Sequence, residues 1–133
     1  MAGLHEGTFS EAALANTICR AVCQWLDRYA RGEPCPMDLP LQPAGTSFQK
    51  RVWKTLLEIP QGEVRTYGQV ADLLDTAPRA IGQAVGANPI PVLIPCHRVV
   101  AAQGLGGYSG VGGVNSKQLL LQFEKCHNIL IKM

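Results

Sequence analysis

The sequence predicts a mainly α-helical domain with a small β element, centred on a helix-turn-helix. Three observations carry that prediction. Apolar residues recur at helical intervals in several separate segments. Two of these segments are short and meet across a tight break at residues 76–78. The apolar run Pro91-Val92-Leu93-Ile94 supplies the β element and leads into Pro95-Cys96-His97-Arg98-Val99-Val100.

At 133 residues the chain can hold one core with a small appendage. The division predicted is residues 1–44, a short helix and proline-rich strap, and residues 45–133, the main domain. Leu14, Ile18, Val22, Trp25 and Tyr29 repeat at helical spacing, and Thr8 with Glu11 has the spacing of a capping box, so a helix is predicted over residues 10–31. Gly32 and Pro34 end it, and residues 33–45, with four prolines, form the strap.

The main domain opens with a helix over 47–57, with Phe48, Val52 and Leu56 inward, stopped by Pro60 and a turn at Gln61-Gly62. Thr66 caps a helix over 67–75 carrying Val70, Leu73 and Leu74. The next helix, 79–87, has two faces. Ala80, Ile81, Ala84 and Val85 are apolar; Arg79, Gly82, Gln83 and Gly86 share the opposite side. Glycine costs roughly 1 kcal/mol against alanine inside a helix, so two on one face imply close approach of another backbone, either a packed helix or nucleic acid. A glycine-rich loop over 104–113 lacks the Lys and Ser/Thr of a phosphate loop. Asn115 or Ser116 then caps a helix bearing Leu119, Leu120 and Phe123, with Glu124 near its end, before the apolar tail Ile129-Leu130-Ile131.

The net charge of +2 is unevenly spread: residues 45–133 carry nine Lys and Arg against five Asp and Glu, residues 1–44 three against five. That balance permits nucleic-acid binding by shape or base insertion better than by charge alone. No basic-then-apolar leader or membrane-spanning run is present, so an intracellular, cytoplasmic protein with no membrane partner is expected. The odd number of cysteines argues against a disulfide framework. His5, Cys19, Cys23 and Cys35 match no compact zinc pattern, and no metal is expected.

Cys96 and His97 are the chemically pointed pair. A thiol is nucleophilic only as its thiolate, and a neighbouring imidazole can take the proton; a buried structural cysteine beside a hydrogen-bonded histidine has the same spacing. Neighbours in a strand face opposite ways, so the two can cooperate only if the backbone turns or a water bridges them.

The segment from Pro95 to Val100, preceded by Asn88-Pro89 and Pro91, with Arg79 upstream and Tyr108-Ser109-Gly110 downstream, closely resembles the O6-alkylguanine-DNA alkyltransferases, or methylated-DNA-protein-cysteine methyltransferases. The resemblance covers residues 45–124 and includes 48–53 and 62–67. It implies a winged helix-turn-helix-like alkyltransferase catalytic domain that binds duplex DNA in the minor groove as a monomer, swings out O6-alkylguanine, and moves the alkyl group irreversibly to Cys96, without a cofactor. It further implies that His97 acts as base through a water, that Glu124 orients His97, and that Asn88 is a hinge. Tyr67 would rotate the target phosphate and protonate the leaving guanine, and Arg79 would fill the vacated stack. Gly82, Gln83 and Gly86 would lie along the groove. Val99 and Ser109 would read the guanine edge, and Val85, Pro91 and Tyr108 would wall the alkyl pocket. The first 45 residues are much shorter than the family's N-terminal domain. An alternative is a non-catalytic alkyltransferase-like lesion binder that recruits other repair factors, although such proteins typically carry tryptophan where this chain has Cys96. A third reading is a helix-turn-helix regulator, for which the helix over 79–87 offers few polar side chains.

Overall fold

The computed structural model describes the backbone of residues 2–108 and 112–124, with side chains from residue 13 onward. Internal contacts divide the chain into two units, Met1–Pro40 and Leu41–Met133.

In the first unit, α1 spans Ala2–Ala30. Gly32 takes a left-handed φ of +75°, its N–H donates to the Tyr29 carbonyl, and the Glu33 N–H donates to that of Arg28, a C-terminal cap that glycine adopts without strain. The strap then returns along the helix: Trp25 Nε1 donates to the Pro36 carbonyl at 3.2 Å, and Trp25 stacks on Tyr29. Two expectations fail here. The helix begins at Ala2, so Thr8 and Glu11 lie inside it; capping-box spacing marks a start only where the preceding residues cannot extend the helix, and Leu4, His5 and Glu6 can. Trp25 and Tyr29 are buried, but Leu14 and Ile18 are 61% and 41% exposed, because the strap comes back against Trp25, near the C-terminal end.

The second unit is built on α2 (Ser47–Leu57), β1 (Arg65–Thr66), α3 (Tyr67–Leu73), α4 (Pro78–Gly86), a 3₁₀ turn (Cys96–Arg98), β2 (Val99–Val100) and α5 (Gly113–Phe123). This is the mainly helical, minimally β architecture expected. α2 and α3 begin with reciprocal capping boxes. Thr46 pairs with Gln49, and Thr66 pairs with Gln69, so two otherwise unpaired N–H groups are satisfied at each start. α4 packs on both α2 and α3. Val52, Trp53, Leu56, Ile59, Val70, Ala71, Ile81, Ala84, Val85, Ile94, Cys96 and Val99 form the core between them. Trp53 also donates from Nε1 to the Ala84 carbonyl at 2.9 Å, tying α2 to the last turn of α4. Gly45 lies so close to the Trp53 ring that a Cβ there would meet ring carbons at 2.6 Å.

The helix boundaries shift where backbone chemistry intervenes. α3 stops at Leu73, which is 70% exposed, and Asp75 turns the chain at φ +54°. Pro78 opens α4 at a position where its missing N–H costs nothing. The segment after Pro91 is not a long strand. Prolines 91 and 95 remove ladder donors, Val92 sits at φ +77°, and regular pairing is confined to a parallel register of Arg65 with Val99 and Thr66 with Val100. α5 starts at Gly113, with Gly112 as a left-handed cap at φ +88°, so Asn115 and Ser116 lie in its first turn rather than capping it. Among the described residues no helix is long and apolar enough to cross a membrane.

Trp53→Phe keeps most of the packing but removes the bond to Ala84. The Ala84 carbonyl keeps its bond from the Ala87 N–H at 3.2 Å, so we expect the net worth of one hydrogen bond, a loss of about 0.5–1.5 kcal/mol, in urea unfolding. A loss under ~0.5 kcal/mol would show that the Trp53–Ala84 bond does not hold α4 in place.

Candidate active site

Cys96 and His97 occupy one 3₁₀ turn that follows Pro95. The turn resolves the strand problem: both side chains face inward, with Cys96 1% and His97 0% exposed. The segment is anchored from α4 by Asn88, immediately beyond that helix, whose Nδ2 donates to the Ile94 carbonyl at 2.8 Å while its Oδ1 accepts from the Ile90 N–H at 3.0 Å.

Behind the turn lies a buried ionic cluster. His97 Nε2 is 2.7 Å from Glu124 Oε2. Arg98 grips the same carboxylate with both ends of its fork, Nε on Oε1 at 2.9 Å and Nη2 on Oε2 at 3.0 Å, and donates Nη1 to the Ile59 carbonyl at 2.8 Å. Burial opposes charge on Glu124, but the hydrogen bonds and charges of His97 and Arg98 outweigh it and bring its pKa down to about 2. Glu124 is therefore an acceptor only, and the hydrogen between it and His97 resides on Nε2. Among the described residues His97 Nδ1 is buried with no hydrogen-bond partner. Burial lowers the pKa of His97, resisted by Glu124 and assisted by the Arg98 and Lys117 cations, so the imidazole rests neutral with a free Nδ1 lone pair.

Cys96 lines a cavity of about 270 Å³ with Tyr67, Gly82, Val85, Gly86, Gly107 and Tyr108. Burial raises the pKa of its thiol, against the pull of an Asn88 hydrogen bond, the Lys117 charge and the local backbone; at rest it carries its proton. The two phenols are neutral as well. Burial, and then the charge that Cys96 carries once ionised, raise Tyr67 and push Tyr108 up to about 12.

The structure thus brings together Cys96, His97, Glu124 and Asn88, and gathers Tyr67, Gly82, Val85, Gly86 and Tyr108 with Cys96 around one cavity. Arg79 and Gln83 lie on the outer side of α4, both exposed. Pro91 is half-buried in the Pro91–Ile94 bridge and is not among the cavity's lining residues. Ser109 lies outside the described residues, as does the side chain of His5. Cys19 and Cys23 are exposed and Cys35 is half-buried; among the described residues no three metal-ligating side chains converge.

Two residues carry roles that the sequence does not single out. Lys117 is fully buried, donates Nζ to the carbonyls of Val99 at 2.7 Å and Gly107 at 2.9 Å, and lies 5.8 Å from the Tyr67 ring centroid. Burial brings its pKa down to about 8, with Cys96 pulling the other way. Its signal is positional: Lys117, Leu121 and Glu124 share one helical stripe, two charges where a core stripe wants apolar groups. Arg98 has the same signature, an arginine inside an apolar run.

A profile of the 6-O-methylguanine DNA methyltransferase DNA binding domain matches residues 47–126. A methylated-DNA--protein-cysteine methyltransferase of Mycobacterium tuberculosis is 50% identical over 103 residues, covering 75% of this chain and 61% of the relative; the chain thus spans about three fifths of that protein. The crystal structure of Mycobacterium tuberculosis OGT in complex with DNA superposes with a TM-score of 0.73 at 48% identity, over 78% of this chain and 64% of that one. S. pombe Atl1, in complex with damaged DNA containing O6-carboxymethylguanine, superposes at 0.52 with 28% identity, over 62% of this chain and 79% of that one.

The Glu124 carboxylate, lowered from 4.5 to about 2 on folding, stabilises the fold fully above pH 4.5 and loses that contribution as the pH falls toward about 2. Glu124→Gln breaks a buried pair and should cost about 3–5 kcal/mol at neutral pH. It should also flatten the acid dependence of unfolding free energy in that window. Parallel pH curves for the two proteins would contradict the assignment.

Proposed function

This chain belongs to the 6-O-methylguanine DNA methyltransferase family, and from that membership we propose that it is a DNA repair protein that transfers an alkyl group from O6-alkylguanine to Cys96, once and irreversibly. The single observation that supports this best is the orphaned His97 Nδ1, buried in the same 3₁₀ turn as a protonated thiol that lines a cavity. A neutral base with an unpartnered nitrogen, and a thiol that must lose a proton before it can attack, are complementary halves of one step.

In this reading duplex DNA is engaged through its minor groove by α4. Its outer side carries the small residues Gly82 and Gly86 beside Gln83, so the backbone can approach closely. Arg79 enters the stack left by the flipped guanine; flipping costs a few kcal/mol, and a planar guanidinium replaces part of the lost stacking. The alkylguanine enters the cavity between Tyr67, Val85 and Tyr108, with the Val99 carbonyl and Ser109 reading its edge and Pro91 supporting the alkyl side. Val99 also accepts from Lys117, and a carbonyl has a second lone pair for guanine.

The Cys96 proton passes through one water to His97 Nδ1 as Sγ attacks the alkyl carbon. The S–C bond forms and the C–O6 bond breaks, leaving its electron pair on guanine, which takes a proton from the Tyr67 hydroxyl. Guanine leaves neutral, Cys96 becomes a thioether, and the proton on His97 is returned through solvent to Tyr67. Atoms and charge balance without a cofactor. A thioether is no longer a nucleophile, so one monomer serves one lesion, wherever in the cell the DNA is held. Asn88 couples α4 to the reacting turn. Residues 45–133 would carry this chemistry, with residues 1–44 outside it. The lesion-binder reading leaves the buried His97–Glu124–Arg98 cluster without a task.

Mixing the protein with a stoichiometric O6-methylguanine duplex should add one methyl to the Cys96 peptide, saturating at one per molecule by mass spectrometry. Tight lesion-selective binding with no added mass would instead favour the non-catalytic reading. Cys96→Ala should retain lesion binding. Arg79→Ala should slow duplex repair at least about tenfold, ~1.4 kcal/mol of barrier, and leave reaction with free O6-benzylguanine nearly unchanged; equal loss on both would remove the stacking role.

A further inference from the structure

We propose that Arg98 is a positioning residue for this transfer: by holding both oxygens of Glu124 it keeps His97 a neutral imidazole, with hydrogen on Nε2 and the lone pair on Nδ1 that receives the Cys96 proton. The inference rests on the transferase reading for its chemistry but on the cluster's geometry for its content.

A buried carboxylate 2.7 Å from an imidazole would, on its own, favour the imidazolium, which has no lone pair to offer. Arg98 prevents this in two ways. Its bidentate grip supplies the countercharge that Glu124 would otherwise draw from His97. Its own charge, next to the ring in the same 3₁₀ turn, further disfavours a second cation. The charged and titratable groups around the imidazole are Glu124 at the end of α5, Lys117 about two turns back on the same stripe of that helix, Arg98, and the Cys96 thiol. From the α2 side the contact is the Ile59 carbonyl, taken by Arg98 Nη1. Arg98 thus satisfies the one carboxylate, Lys117 adds a second positive charge acting on the ring, and the imidazole is the group left uncharged. The same grip fixes the tautomer, because a carboxylate saturated by Arg98 can only accept from Nε2–H.

The sign of the pH effect follows. Protein with both His97 and Cys96 protonated is inert, so the acid limb of the rate profile marks the loss of the His97 proton. Removing Arg98 makes the imidazolium easier to form and moves that limb to higher pH.

The test is the single-turnover transfer rate from an O6-methylguanine duplex across pH, for wild type, Arg98→Lys and Arg98→Met. It is paired with 15N spectra of the imidazole, assigned against His5 and His127 with a His97→Gln sample. Wild type should show neutral His97 with Nε2–H at pH 7. Arg98→Met should move the acid limb up by about one pH unit, a ~tenfold loss below the limb, with the alkaline rate largely kept; Arg98→Lys, which retains charge but not the fork, should fall between. A uniform loss at every pH with an unmoved limb would reduce Arg98 to a structural tie and overturn the proposal. So would a wild-type spectrum with hydrogen on Nδ1, which decides the matter even if Arg98→Met fails to fold. Absence of transfer by wild type, with His97 neutral and carrying Nε2–H, would overturn the transferase reading alone, since the spectrum does not depend on turnover.

Discussion

The Glu124 carboxylate is the constraint on which the second unit depends. Its two oxygens take three hydrogen bonds from two residues of the 3₁₀ turn. Through Arg98 it is tied to the Ile59 carbonyl just beyond α2. Its own backbone carbonyl lies under Gly62, where a Cβ would come within 3.3 Å at a φ of +90°. The end of α5, the turn before β1 and the Cys96 segment therefore meet at one acid. Such a cluster is a weak source of net stability, because desolvating its ions costs about as much as their attraction returns. It is better explained by geometry: an imidazole held by a saturated carboxylate has one orientation and one free nitrogen.

Around that cluster the apolar core acts as a fixture. Trp53 fills the space between α2 and α4 and bonds to the last turn of α4, and Asn88, just beyond that turn, bonds to the carbonyl of Ile94, two residues before Cys96. Displacement of α4 is thereby transmitted to the thiol through two short links. The small-residue side of α4 and the Cys96 segment are joined by these hydrogen bonds, which suits the proposed reaction, in which grasping DNA and presenting a base to the thiol must happen in register.

Much of this arrangement is legible in the sequence. Thr66 marks the start of its helix, because capping is a local exchange between side chain and backbone. The two faces of α4 follow from periodicity, and the Pro95-Cys96-His97-Arg98 segment marks the site. What is not legible depends on contacts between distant segments. The pairing of Arg65–Thr66 with Val99–Val100 is too short to leave a pattern. The fate of Leu14 and Ile18 depends on where the strap returns. Lys117 and Arg98 look like ordinary surface cations until the fold buries them, and only their place on apolar stripes hints otherwise. A buried cation is bound to have partners, so the residues that periodicity says should be apolar, and are not, point to the cluster at the heart of the site.

The resting state of Cys96 follows from the same burial. On the proposed reading Cys96 is used once, and such a residue gains nothing from being a permanent thiolate, which any passing electrophile could consume. Burial keeps Cys96 protonated and 1% exposed, and the base that can relieve it of the proton is equally enclosed. Exposed Cys19 and Cys23 meet solvent electrophiles first. In the proposed reaction Cys96 then meets a flat group small enough for a cavity of about 270 Å³, which would carry its electrophilic carbon to the sulfur while His97 takes the proton. Selectivity and activation arise from one arrangement: what enters the cavity completes the conditions under which the thiol can react.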